Sequence, residues 1–206
     1  MKKGLFITVE GTDGSGKTTQ IRLIEEYLRH KGYKVVLTRE PGGTNISEKI
    51  RSITLDAGNT EMGAITEMLL YASARAQLVS EVIKPAIDNG AIVICDRFID
   101  SSLVYQGFGR GIDLEVVMTV NRVAMNGIFP DITLFFDISP QIALERRIAA
   151  TGTDRIEKEK MDFHIRVYEG YKKVAQMYPE RIKTINADGS IDNVFNDVTR
   201  FLDSIV

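Results

Sequence analysis

A chain of 206 residues, 44% hydrophobic and 26% charged, is the size of one domain, or of one domain with an inserted lid, and can bury a full core without staples. Its 26 Lys and Arg against 28 Asp and Glu leave a formal charge of -2, so nothing draws it generally to nucleic acid or an acidic membrane, and any anion site must be local. Cys95 is the only cysteine, and His30 and His164 are the only histidines, which excludes an intrachain disulfide and a cysteine or histidine metal cluster.

The start, Met1-Lys2-Lys3 before an apolar run, has the look of a secretory leader. The run stops at Glu10 and enters a glycine-rich loop, which predicts a strand over 5–9 and a cytoplasmic protein. No apolar run is long enough to span a membrane. A helix is predicted over 17–31, a strand over 35–38, and helices over 45–56 and 60–84. Then come a strand over 91–95, a helix over 114–126, a strand over 132–137, helices over 139–150 and 156–177, a strand over 183–185 and a helix over 191–204. The strands are apolar or β-branched over much of their length, and helices separate them. That alternation predicts a five-stranded parallel sheet covered on both faces, a three-layer α/β fold in one domain with a short lid near 146–158.

In such sheets ligands sit beyond the carboxyl ends of the strands. The first strand runs into Gly11-Thr12-Asp13-Gly14-Ser15-Gly16-Lys17-Thr18, which fits the P-loop pattern G-x-x-x-x-G-K-[ST] at every fixed position. Glycines let backbone amides wrap a phosphate, and the following helix aims its N-terminus at the same anion. Lys17 is placed to reach the β- and γ-phosphates of ATP, and the Thr18 hydroxyl to ligate Mg²⁺. Arg39 and Arg97 stand just past two other strand ends, where guanidinium groups suit a second phosphate. Asp96 ends an apolar strand, a costly place for a carboxylate unless it serves a metal, through water, or orients an arginine. Tyr71 and Arg75 share a helix face and could hold a flat heterocycle, or simply pack in the core. The polar run Asp100 to Gly107 contains groups able to read a base or sugar, and equally able to cap helices.

Between residues 145 and 160 a helix breaks near Gly152 and another is expected after Asp154, an N-cap type residue. Arg146, Arg147 and Arg155 flank the break. It is either a solvated helical hairpin or a hinge that closes arginines over transferred phosphate oxygens.

Phe6-Ile7-Thr8-Val9-Glu10-Gly11-x-Asp13-Gly14-x-Gly16-Lys17-Thr18, Thr38-Arg39-Glu40-Pro41-Gly42-Gly43-Thr44, Asp96-Arg97-Phe98 with Ser101 to Gly107, and Asp154-Arg155-Ile156-Glu157 together resemble the bacterial thymidylate kinases, in order and spacing over nearly the whole chain. The resemblance implies ATP and dTMP as substrates, dTDP as product, Mg²⁺ as cofactor and a homodimer. It implies that Arg39 and Arg97 hold the dTMP phosphate, Tyr71 stacks on thymine and Arg75 reaches the base edge. Ser102 and Gln106 would lie near the base, Tyr105 near the deoxyribose, and Asp13 near the sugar hydroxyl and metal. Some family members carry a catalytic arginine in the P-loop, where Gly14 stands here; others supply it from the lid. The chain resembles the second type, which makes Arg155, Arg146 and Arg147 its candidates, with Arg146 also facing ATP. It departs from many relatives at Leu78 and Ala74, beside the expected base pocket.

Two alternatives remain at this stage. One is a P-loop kinase for another nucleoside monophosphate or a deoxynucleoside. The other is a nucleotide-dependent switch, which the absence of an N-K-x-D motif disfavours.

Overall fold

The computed structural model describes residues 4–148 and 154–206, leaving aside the side chains of Leu144, Arg147 and Ile148. Its strands are β1 (Leu5–Glu10), β2 (Val35–Arg39), β3 (Ile92–Asp96), β4 (Ile132–Asp137) and β5 (Ile182–Asn186), forming one parallel sheet in the order β2-β3-β1-β4-β5. All five expected strands are present: β1 and β2 run one residue further at the carboxyl end, β5 one residue further at each end, β3 is shifted by one residue, and β4 has the expected bounds. The central strand β1 pairs Thr8 with Cys95 on one side and with Thr133 on the other. Alternation along β1 turns Ile7 and Val9 to one face and Phe6, Thr8 and Glu10 to the opposite one.

On the first face α1 (Lys17–His30) and α9 (Ile191–Leu202) bury Ile24, Leu28, Val194, Val198 and Leu202 against Ile7, Val9 and Leu134. Ser190 caps α9, its hydroxyl accepting from the Asn193 amide. The second face carries α2 (Asn45–Leu55), α3 (Ala64–Leu78), α4 (Lys84–Asp88), α5 (Ile99–Ser102), α6 (Leu114–Met125) and α8 (Met161–Met177). There Phe6 and Phe98 meet edge to face at 4.9 Å, and Phe135 stacks on Tyr171 at 5.2 Å. The helix α7 (Pro140–Ile148) follows β4 on the P-loop side.

Three differences from the sequence expectation bear on the site. The helix expected over 60–84 starts at Ala64 and continues to Asp88 through a π-helical turn, Val79–Ile83, ahead of Pro85. A proline cannot donate into an α-helical ladder, and the wider turn carries the chain past it. Residues 99–109, whose glycines and polar groups give no helical period, form α5 and a π-helical stretch, Leu103–Gly109. At the other end α8 begins at Met161, not near 156. Asp154 does cap, but it caps a separate turn: its carboxylate accepts from the Glu157 amide at 2.9 Å, and Glu157 returns the bond at 2.8 Å. The expected break at 151–153 and the Arg147 side chain lie outside the described residues.

Candidate active site

The P-loop leaves the carboxyl end of β1, and Gly11, Gly14 and Gly16 take φ of +143°, +87° and +89°. At Gly14 the requirement is strict: a Cβ would lie 2.1 Å from the Ala143 carbonyl oxygen on α7. No side chain fits there, an arginine included. Lys17 folds back over the loop and donates to the Gly11 and Thr12 carbonyls, each at 3.0 Å. Burial, with Arg97 nearby, lowers its pKa, while the Asp13 carboxylate 3.8 Å away opposes that shift.

Arg97, just past β3, has a left-handed backbone, φ +69°, rare for a bulky residue. That turn directs its side chain back across the rim. Its guanidinium donates to Asp13 at 2.7 Å, to the Tyr171 hydroxyl at 2.9 Å and to Ser101 at 3.3 Å, and it lies 5.2 Å from the Tyr105 ring centre. Behind it Glu10, fully buried, accepts from the Phe98 amide at 2.7 Å, from Ser101 Oγ at 2.6 Å and from Tyr171 at 3.0 Å. Burial, reinforced by the Asp100 carboxylate, raises the Glu10 pKa to about 7. Asp100 is itself held by Arg181 through two bonds of 2.7 Å.

At the end of β2, Arg39 donates to the Pro41 carbonyl at 3.0 Å and to both Glu48 oxygens at 2.9 and 3.1 Å. Arg51, from α2, reaches the same carbonyl at 2.9 Å. Arg75 is 2% exposed and clamps Glu40 in a bidentate pair, with Ser102 accepting from it at 2.9 Å and Asn121 also bonded. Leu78 and Ala74, the two departures, are core residues under this clamp.

Two clefts open on the rim. One, of about 170 Å³, is lined by Tyr71, Arg75, Ser102, Tyr105 and Gln106. The other follows the P-loop past Gly14, Gly16, Lys17 and Thr18 to Arg39, Asp96 and Arg146. They share Asp13, Glu40, Arg51 and Arg97, and at these four residues the clefts run together. Asp96 Oδ1 is buried without a hydrogen-bond partner beside Thr18, the chemistry a hydrated cation would satisfy. Among the described residues no three His, Cys, Asp or Glu side chains gather as a metal cluster, so a cation here would lean on nucleotide phosphates.

The sequence candidates divide as follows. The P-loop, Asp13, Arg97, Asp96 and Arg146 come together in one cleft, and Tyr71, Arg75, Ser102, Tyr105 and Gln106 in the other. Arg39 lines the P-loop cleft and not the other. Arg146 lines it while also donating to the Ala187 carbonyl at 2.9 Å. Arg155 is not brought to the P-loop: it is buried, donating to Glu67 at 2.7 Å and to the Thr54 carbonyl at 2.9 Å. Sequence reasoning missed Glu10, Arg51, Tyr171 and Glu67. Glu10 carried a signal, a carboxylate closing an apolar strand; Arg51, alone on an amphipathic helix, looked like any solvated charge. Among the described residues no helix is long and apolar enough to cross a membrane.

A sequence model described as thymidylate kinase matches residues 9–198. A thymidylate kinase of Clostridium novyi is 50% identical over 204 residues, 98% of this chain and 100% of the relative. One of Shouchella clausii is 51% identical over 199 residues, 96% of this chain and 93% of the relative. The crystal structure of thymidylate kinase from Ehrlichia chaffeensis superposes with a TM-score of 0.78 at 35% identity, covering 97% of this chain and 99% of that one.

Proposed function

The chain belongs to the thymidylate kinase family, and from that premise we propose how its two clefts divide the work. It is a nucleoside monophosphate kinase of P-loop NTPase fold that transfers the γ-phosphoryl group of ATP to dTMP, giving ADP and dTDP for deoxythymidine nucleotide synthesis. The P-loop cleft takes ATP, and the cleft of Tyr71, Arg75, Ser102, Tyr105 and Gln106 takes dTMP. The observation that carries this division is the junction of Asp13, Glu40, Arg51 and Arg97, since only there can a donor and an acceptor phosphate meet.

Phosphoryl transfer needs alignment and charge stabilisation rather than covalent help. P-loop amides and Lys17 hold the donor phosphates, and burial keeps water away from the Lys17 ammonium. Arg97, fixed by Asp13, Ser101 and Tyr171, meets the oxygens of both phosphates. Arg39 and Arg51 add positive charge from the β2 side, and Arg146 from the lid side. Gly14, which tolerates no side chain, supports a lid rather than a P-loop origin for any further cation. Mg²⁺ would be held by Thr18 and Asp96, directly or through water, and would neutralise phosphate charge. Tyr71 stacks on the base, and Tyr105 lies against the sugar.

Assembly is as a homodimer: α3 and α6 adjoin and leave Ile65, Leu69, Val116 and Val123 exposed, apolar positions that a second copy would cover. Dependence on ATP supports a cytoplasmic site of action. The assignment is tested by ADP release with dTMP, dUMP, dCMP, dGMP and thymidine as acceptors. dTMP should have the highest kcat/KM; a preference for unphosphorylated thymidine would remove the phosphate roles given to Arg97 and Arg51.

A further inference from the structure

The Glu67 side chain, on α3, is 1% exposed and accepts from three partners. Gln106 Nε2 donates to Oε1 at 2.9 Å, Arg110 donates to Oε2 at 2.8 Å, and Arg155 donates to Oε2 at 2.7 Å. Arg110 also pairs with Glu159, so the set holds two cations and two anions. Burial alone would raise the Glu67 pKa, but the bonds from Arg110, Gln106 and Arg155 outweigh it and hold the carboxyl below its usual range. The charge is thus kept at neutral pH in a place where an unpaired one would not be.

Each partner leads to the acceptor cleft. Arg155 carries the chain that follows the lid, stitched to the end of α2 by its amide on the Leu55 carbonyl at 3.2 Å and its guanidinium on Thr54. The next residue, Ile156, packs into the core cluster that holds Met68, and Asp154, Ile156 and Glu157 line the same cleft as Tyr71. On the other side, Gln106 must turn its NH₂ toward Glu67, because a carboxylate only accepts. Gln106 also lines the cleft, so an amide held this way would offer its carbonyl to a base there. A carbonyl there favours a base edge bearing an N–H, as thymine does at N3, and opposes cytosine, whose N3 is itself an acceptor.

We propose that Glu67 is a positioning residue that sets base preference, by fixing the orientation of the Gln106 amide and by pinning the wall at 154–157 through Arg155. This rests on the reading of that cleft as the dTMP site. Arg155 is then a positioning residue as well, distant from the transferred phosphate.

The experiment compares wild type, Glu67→Gln, Glu67→Asp and Arg155→Ala with dTMP and dCMP at saturating ATP, then varies ATP. Glu67→Gln should raise the KM for dTMP roughly ten-fold or more and shrink the dTMP:dCMP ratio of kcat/KM by a similar factor, with the KM for ATP within about two-fold. Glu67→Asp, which keeps the charge, should recover part of the ratio. Arg155→Ala should raise the KM for dTMP far more than it lowers kcat. Unchanged KM and unchanged ratio in Glu67→Gln would overturn the proposal, as would an Arg155→Ala enzyme that loses kcat by orders of magnitude at unaltered KM. Should Glu67→Gln fail to fold by circular dichroism, Glu67→Asp and Arg155→Ala carry the same comparison. A wild type that ignores dTMP would overturn the acceptor assignment instead, and the clasp is then read on the KM of the acceptor it does use.

Discussion

Glu10 is a residue whose charge depends strongly on its surroundings. It sits behind Arg97 and organises the turn through Phe98, Ser101 and Tyr171, yet burial and Asp100 raise its pKa from 4.5 to about 7. Between those values the native state keeps a proton that the unfolded state has lost. Stability therefore falls as pH rises through that window, by about 3 kcal/mol in total. Glu10→Gln abolishes the dependence: relative to wild type, the variant should gain in urea midpoint between about pH 5 and pH 8. Parallel midpoints across that range would show that Glu10 titrates normally. Arg97 at φ +69° is the complementary case, a strained backbone held by four side-chain partners that aims a cation at the junction of two clefts.

Among the elements, the P-loop and α7 constrain one another. Gly14 presses on the Ala143 carbonyl, so the loop is shaped by α7. Gly14→Ala combines a positive φ with a 2.1 Å clash. It should cost roughly 2 kcal/mol or more of stability and raise the KM for ATP, measured by thermal melting and initial rates; an unchanged melting temperature together with an unchanged KM would mean that the contact yields freely. The elements legible from sequence were those with a strong period or a fixed motif: buried strands such as 132–137, the helix opened by Lys17-Thr18, and the P-loop before that helix. Residues 99–109 were not legible, because Gly107 and Gly109 and a polar start give no apolar stripe, and the helix there is maintained by tertiary contacts with α8. The site followed the same division. Residues in motifs or at strand ends stand out in the sequence as candidates, whereas Arg51 and Glu67 gain their meaning only from partners distant in sequence. Arg155 has a partner the sequence does not announce, for a related reason: a cation beside a helix break looks mobile until its buried carboxylate is seen.

On the scale of the whole molecule, α3 and α6 carry exposed apolar side chains, and these are where the proposed homodimer is tested: Val123 is 81% exposed and Ile65 52%. Val123→Glu should convert a particle of twice the chain mass into one of single mass in light scattering after gel filtration; a wild type already of single mass would exclude the homodimer. The strand order β2-β3-β1-β4-β5 has a different consequence, one of timing during synthesis. The strand that carries the P-loop emerges from the ribosome first, but its neighbours are residues 92–96 and 132–137. Until the latter have been made, β1 lacks a flank, Thr8 lacks Thr133, and the Gly11 turn has no Phe136 carbonyl to rest against. A nascent chain therefore carries the complete phosphate-binding sequence long before it can grip a nucleotide, and the enzyme is silent through most of its own translation.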